Sequence, residues 1–243
     1  MKGAGYAGSG RLGKFVLAFV LLVGGACASG GGQSLPALEK EAHGALAQGD
    51  ARTAMKLDRQ ALALSPGDPG LLNNLAVAED RLGEEKKALR NLEEANRKSP
   101  RDPNILLNLS RIDLKTCREG EAFRTASKII PMDRWPEGFR TLMGKIDIDL
   151  SRYAEAHIYL HEALERHPGN PLILTYLGIV HYRLGEPADA KKNFRDALSR
   201  NPSPGLRQTL ESLLKNPGRV LGPFPPRVLK DEEPRQKNAE ESP

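Results

Sequence analysis

The residues best suited by type to chemistry are two histidines, His157 and His161, which lie four residues apart. On a helix this spacing puts both imidazoles on one face, where they could share a metal ion. The zinc-protease pattern needs a glutamate directly after the first histidine, whereas the acid nearest to the pair, Glu162, follows it. We therefore predict a solvated surface pair on the convex side of the protein, with metal binding or enzymatic activity through these histidines as the minor alternative.

No other catalytic chemistry has a sequence pattern to support it. The chain contains neither a glycine-rich phosphate loop nor a G-x-S-x-G nucleophile elbow. Its two cysteines, Cys27 and Cys117, provide no zinc-site spacing and no internal disulfide framework. The sequence thus predicts a protein that is not an enzyme, has no cofactor and no resident metal, and is stabilised by packing.

The first 26 residues have the composition of a secretory signal. Lys2, Arg11 and Lys14 precede an apolar run over 15–23. This run is about half as long as a membrane-spanning helix requires, and small residues follow it. We therefore predict a signal peptide at 1–26.

The end of this signal has two interpretations. Residues 26–28, Ala-Cys-Ala, fit a peptidase site with cleavage before Ser29. Residues 25–27 instead resemble the end of a bacterial lipoprotein box, which would leave Cys27 as the lipidated first residue. We favour the lipoprotein, because a flexible tether rich in glycine and serine follows at 27–34. The residue after the cysteine is not aspartate, which by resemblance to enterobacterial lipoproteins indicates the outer membrane.

The formal charge of +5 does not indicate nucleic-acid binding. Three of these positive charges lie in the signal peptide at 1–26, which contains no acid, so its removal leaves +2. The other basic residues are interleaved with acids, as over 81–87, and such mixed runs are typical of a solvated helix face. We therefore expect no nucleic-acid partner.

A 34-residue period organises the chain from residue 35 onwards. Each period contains two helical apolar patterns separated by a small or polar turn, and most periods close on a proline, as at Pro100. Five alanines recur at this spacing: Ala54, Ala88, Ala122, Ala156 and Ala190. Small residues at the eighth place let the paired helices approach closely: Ala42, Ala76, Ser110, Gly144 and Gly178. The period predicts an array of helical hairpins.

The small-residue pairs, turn glycines, alanines and closing prolines resemble the tetratricopeptide repeat family. The resemblance implies an all-α fold, a right-handed α-solenoid of about five helix-turn-helix repeats with a C-terminal capping helix. The five units are 35–68, 69–102, 103–136, 137–170 and 171–204; a capping helix at 205–216 and a disordered tail rich in proline and charge at 217–243 follow. The aromatic residue usual late in the first helix is replaced by Ala45, Glu79, Asp113, Asp147 and His181. Three of these are acids, so we expect that edge to meet water.

Unit three departs most from the pattern. Cys117 replaces its turn glycine, and prolines disrupt its exit. We expect Trp135 and Phe139 to fill the junction between units three and four, since isolated aromatic residues usually pack. An exposed aromatic patch for a partner is the alternative.

The first helix of each unit is predicted to line a concave groove, the usual binding surface of a repeat solenoid. Asn74 and Asn108 occupy equivalent places and form a two-rung amide ladder. Such a ladder suits an extended peptide backbone, as in some tetratricopeptide grooves; ordinary polar surface is the alternative. The predicted groove residues are Asn73, Asn74, Val77, Arg81, Asn108, Arg111, Lys115, Lys145, Tyr176, Ile179, Tyr182 and Arg183.

This lining predicts a protein or peptide ligand with acidic and apolar segments. By resemblance, compact tetratricopeptide lipoproteins of this size assist the assembly of pilus or secretion machinery. We therefore expect an exported scaffold in the bacterial cell envelope, anchored through lipid on Cys27 to the outer membrane and facing the periplasm. The alternative is a soluble periplasmic adaptor.

Overall fold

The computed structural model describes residues 33–221, and every regular element within them is a helix. The helices of this part are α1 (Leu35–Ala47), α2 (Ala51–Leu64), α3 (Pro69–Arg81), α4 (Glu85–Lys98), α5 (Pro103–Lys115), α6 (Glu119–Ser127), α7 (Phe139–Asp149), α8 (Tyr153–Arg166), α9 (Pro171–Arg183), α10 (Pro187–Ser199), α11 (Pro204–Lys215) and α12 (Pro217–Leu221). The predicted signal at 1–26, the proposed lipidation site Cys27 and residues 222–243 of the predicted tail lie outside the described residues. Across 33–221, no helix has both the length and the apolar character needed to cross a membrane.

Each hairpin turns through a left-handed residue at the same place in the period. The φ angle is 83° at Gly49, 77° at Gly83, 61° at Cys117, 60° at Ser151 and 82° at Gly185. Glycine adopts this conformation without penalty, whereas a residue with a Cβ atom is strained there. The amide of the next residue donates to the carbonyl five residues back, as from Arg118 to Asp113 at 2.8 Å. This turn ends the first helix and sets the direction of the second.

Close packing within a hairpin depends on the small residue at the eighth place of the first helix. A Cβ atom added to Gly144 would lie 2.5 Å from the Cγ of Leu160, and one added to Gly178 would lie 2.3 Å from a ring carbon of Phe194. Both large partners are buried. The predicted close approach of paired helices is confirmed in these two units.

The first helices lie on the inner side of the stack. Each second helix packs on the first helix of its own hairpin and on the helix that follows, from α2 on α3 to α10 on α11. In addition, α3 contacts α5, α5 contacts α7, and α7 contacts α9. Helices on the shorter, concave side of a curved stack come closest to one another, so these first helices form the concave surface. The architecture is the all-α solenoid that the sequence predicts.

The expectation that the edge carrying Glu79, Asp113 and Asp147 meets water is wrong. These acids are 3%, 1% and 0% exposed. Asp113 and Asp147 each pair with an arginine five residues further along the chain, Arg118 and Arg152. The left-handed turn brings that arginine back over the end of the first helix, where its charge offsets the lost hydration. Burial raises the pKa of all three carboxyl groups, in Asp113 to about 6.

Unit three has the shortest second helix. The helix α6 has 9 residues, whereas α2, α4 and α8 have 14 each. Aromatic side chains occupy the junction that follows: the rings of Trp135 and Phe139 are 4.9 Å apart, and Tyr159 of α8 lies 6.4 Å from Phe139. Phe139 is fully buried. The prediction that Trp135 and Phe139 fill this junction is confirmed.

Residues 205–221, which follow the last repeat, contain more helix than the sequence predicts. The helix α11 occupies the span predicted for the capping helix. Residues Pro217–Leu221, assigned from sequence to the disordered tail, form the short helix α12, and Leu221 is buried in the core cluster of units four and five. Closely spaced prolines are typical of extended chain, but a proline at the first position of a helix favours helix formation.

Candidate functional site: the inner groove

Two of the predicted groove amides are joined directly. Asn108 Nδ2 donates to Asn73 Oδ1 at 2.8 Å, which links α5 to α3 across a repeat boundary. Asn74, the predicted equivalent of Asn108, is half-buried, and its side chain has no hydrogen-bond partner within residues 33–221. The amide of Asn74 therefore keeps its donor and acceptor for a ligand, whereas Asn108 uses one donor to hold the groove together.

Three of the predicted groove cations are held by the protein itself. Arg81 donates to a backbone carbonyl of α1 at 2.6 Å, and Arg183 donates to the carbonyl of Leu221 in α12 at 2.9 Å. The Nζ of Lys115 lies 2.7 Å from a carboxylate oxygen of Asp80. These side chains join neighbouring helices along the inner surface, so they contribute less to ligand binding than their charge suggests.

Two further cations, Arg111 and Lys145, remain available. They hold the same place in consecutive units, on α5 and α7, and both are half-buried. Neither has a hydrogen bond or an ion pair in the part of the chain that the structure describes. The equivalent residues on either side, Val77 and Ile179, are apolar. An anionic ligand group would relieve the repulsion between two neighbouring positive charges, so this is the part of the groove best suited to bind one.

The apolar end of the predicted lining belongs largely to the core. Tyr176 and Ile179 are 3% and 2% exposed and lie in the core cluster of units four and five, with Tyr182 packed partly against it. Val77 packs against the core of units one and two. Placing Tyr176 and Ile179 in the groove is therefore wrong. Helix α9 buries eight consecutive residues, 173–180, because α7, α8 and α10 all contact it, so its residues cannot be divided into one buried face and one groove face.

The histidines do not form the solvated pair that the sequence predicts. His161 is exposed, but His157 is half-buried and faces His181 of the next unit, with ring centroids 5.2 Å apart. Burial lowers the pKa of His157, and the nearby imidazoles of His181 and His161 lower it further. From the sequence, His181 is expected on an edge that meets water and is not joined to the histidine pair. The 34-residue register gives His181 the place that Asp147 has in unit four, but the burial of that place is visible only in the structure.

Comparisons with known proteins agree with this architecture. Residues 141–205 match the family model described as tetratricopeptide repeat. No curated protein matches the chain significantly. A thermophilic tetratricopeptide repeat protein of known structure from Thermus thermophilus is 21% identical, with a TM-score of 0.62, over 75% of this chain and 100% of that one.

Two similar structures carry names that refer to pili. Pseudomonas aeruginosa PilF is 19% identical, with a TM-score of 0.63, over 77% of this chain and 84% of its own. PilW, described as a widely conserved type IV pilus biogenesis factor, is 19% identical, with a TM-score of 0.64, over 73% of this chain and 83% of its own. At these identities the likeness establishes the fold.

Proposed function

We propose, from the tetratricopeptide repeat fold of this chain, that it is a non-enzymatic scaffold whose inner groove binds an extended acidic segment of a partner protein. The fold itself suggests protein–protein interaction. The observation that carries the finer proposal is the pair Arg111 and Lys145, which are neighbouring half-buried cations without a protein partner among residues 33–221.

The groups beside these cations fit a peptide. Asn108 lies one helical turn before Arg111 on α5, and Asn74 lies on the preceding first helix. An extended backbone needs both donors and acceptors, which an amide provides, while acidic side chains of the ligand pair with the two cations. Since charge-assisted hydrogen bonds are stronger than neutral ones, we expect Arg111 and Lys145 to supply most of the affinity.

The location of the scaffold is a second part of the proposal. A signal at 1–26 and lipid on Cys27 would hold the protein at the outer membrane, facing the periplasm. The likeness in fold to PilF and PilW supports a role in assembling pilus or secretion machinery. The alternative is a soluble periplasmic adaptor, which would bind its partner in the same groove without a lipid anchor.

A photo-crosslinking experiment tests the groove. A photoreactive residue introduced at Thr141, a half-buried residue one helical turn before Lys145 on α7, is expected to give a specific adduct in cells that make the protein. The charge reversals Arg111→Glu and Lys145→Glu together should reduce that adduct about tenfold or more, because each charged contact is worth about 1.5 to 3 kcal/mol. Mass spectrometry of the adduct then identifies the partner.

The matched control reverses the same charges on second helices. Arg90→Glu and Lys191→Glu lie at exposed positions of α4 and α10 and should leave the Thr141 adduct unchanged. If the groove reversals leave the adduct intact, or if both double variants reduce it equally, the partner does not bind through Arg111 and Lys145.

A further inference from the structure

Three imidazole rings converge where α8 meets the end of α9. His157 and His181 meet edge to face with ring centroids 5.2 Å apart, and the ring of His161 lies 5.9 Å from that of His157. The side chain of His181 is 18% exposed, so the meeting point is partly shielded from water. Two imidazoles that bind one zinc ion through Zn–N bonds of about 2 Å have ring centroids about 5 Å apart. The spacing of His157 and His181 suits a shared metal ion.

Two carboxylates at the start of α10 complete the cluster. Glu186 Oε2 lies 2.5 Å from His181 Nδ1. Each of His181, Glu186 and Asp189 presents a ligand atom within 4.8 Å of the other two. His157 does not belong to this group and approaches it through its ring contact with His181. Neighbouring ligand atoms of a tetrahedral zinc ion are about 3.3 Å apart, so small side-chain rotations would bring these atoms to coordinating positions. No Lys or Arg among residues 33–221 pairs with Glu186 or Asp189, so their negative charge is left for a cation.

The equivalent junction between units three and four has different chemistry. There Asp147 pairs with Arg152, whose guanidinium lies 3.9 Å over the ring of Phe123. The residues 34 positions later are His181, Glu186 and His157, respectively. The junction between units three and four thus has a salt bridge packed against an aromatic ring. The same three positions at the junction between units four and five hold two imidazoles and a carboxylate. All three replacements are side chains that bind transition metals, and the cation of the salt bridge is gone.

We propose that His181, Glu186 and Asp189 form a binding site for a divalent transition metal ion, with His157 as the fourth ligand once its side chain turns toward them, and with Zn²⁺ as the ion of best fit. Two nitrogen and two oxygen ligands satisfy tetrahedral coordination, whereas Ca²⁺ and Mg²⁺ prefer oxygen ligands alone. The ligands come from the second helix of unit four and from both helices of unit five. A bound ion therefore clamps these two units together, and it uses no residue of the groove.

Zinc titration tests the site directly. Calorimetry of the purified full chain, prepared without a polyhistidine tag, should give one Zn²⁺ per chain and a higher melting temperature. Co²⁺ should give the intense visible absorption of a four-coordinate ion. Glu186→Gln and Asp189→Asn lie at exposed positions and preserve side-chain shape. Each should weaken zinc binding about tenfold or more, and His181→Ala should abolish it.

Two controls exclude other ligands. His43→Ala removes an exposed histidine of α1, and Cys117→Ser removes the exposed thiol; both should bind zinc as the unchanged protein does. Circular dichroism checks that every variant keeps its helix content. Absence of zinc binding in the unchanged chain overturns the proposal. So does an affinity that Glu186→Gln and Asp189→Asn leave the same.

Discussion

Asn108 and Asn73 join two consecutive first helices through a single amide–amide hydrogen bond of 2.8 Å. Because this bond is half-buried, Asn108→Ala should reduce the free energy of unfolding by about 1 kcal/mol, measured by urea denaturation. Asn74→Ala breaks no such bond, so it should leave stability unchanged while lowering the yield of the Thr141 adduct. Equal losses of stability at positions 74 and 108 would contradict this division between a structural and a ligand-binding amide.

The close contact between Gly178 and Phe194 leaves no room for a methyl group. Gly178→Ala forces the ring of Phe194 to move and should reduce the free energy of unfolding by about 1 to 3 kcal/mol. Gly120→Ala is the matched control, because a Cβ atom there meets no other atom within 4 Å. It should leave stability the same or slightly higher, since alanine favours helix. Thermal unfolding of both variants distinguishes them, and equal melting temperatures would refute the packing argument.

Asp58 stands in unit one where the later units have buried apolar residues, as at Leu92 and Leu160. Both of its carboxylate oxygens are buried and lack a hydrogen-bond partner in the described part of the chain. Burial raises the pKa of Asp58 from 3.8 to about 6; the charge of His43 lowers this pKa and that of Glu39 raises it. The folded protein therefore binds more protons than the unfolded chain between pH 3.8 and about 6.

Stability should consequently fall as the pH rises through that interval. Asp58→Asn removes the buried negative charge and should raise the free energy of unfolding at pH 7.5 by about 2 kcal/mol, with the difference vanishing near pH 4. Urea denaturation across this pH range measures it. Asp133→Asn, an exposed aspartate of the loop after α6, should have no effect at either pH. A difference between wild type and Asp58→Asn that does not vary with pH would show that Asp58 is not the titrating group.

The proposed anchor predicts that Cys27 carries lipid. Radioactive palmitate should label the protein in a bacterial host, and Cys27→Ser should lose the label and leave the membrane fraction. Cys117→Ser is the matched control, since it removes the other cysteine and should keep the label. An unlabelled protein, or a label that persists in Cys27→Ser, would favour the soluble adaptor.

The register of the repeats could be predicted because the residues that set it act locally. The small residue at the eighth place fixes how closely the two helices of one hairpin approach, and the left-handed residue fixes the turn between them. The spacing of these residues along the sequence therefore predicts where each hairpin lies. Cys117 and Ser151 still take the left-handed conformation of Gly83. The packing of the unit therefore determines the turn even where glycine is missing.

The electrostatics could not be predicted in the same way. Asp113 and Asp147 have the sequence character of surface residues, because acids are rarely buried without a partner. Their partners Arg118 and Arg152 come into reach only after the turn has reversed the chain. Similarly, Lys115 is held in an ion pair by Asp80 of the preceding unit. Contacts between units must be known before such residues can be assigned to groove or scaffold.

The junction that follows the short helix α6 makes ligand binding in the groove sensitive to bending of the stack. Arg111 and Lys145 lie on opposite sides of the junction that follows α6, so the angle between these hairpins sets the distance between the two cations. A ligand that pairs with both bridges this junction and resists any change in its angle. By thermodynamic reciprocity, a force that bends the stack there must alter the ligand's affinity. The affinity of the scaffold for its partner would therefore depend on the mechanical force applied to the stack.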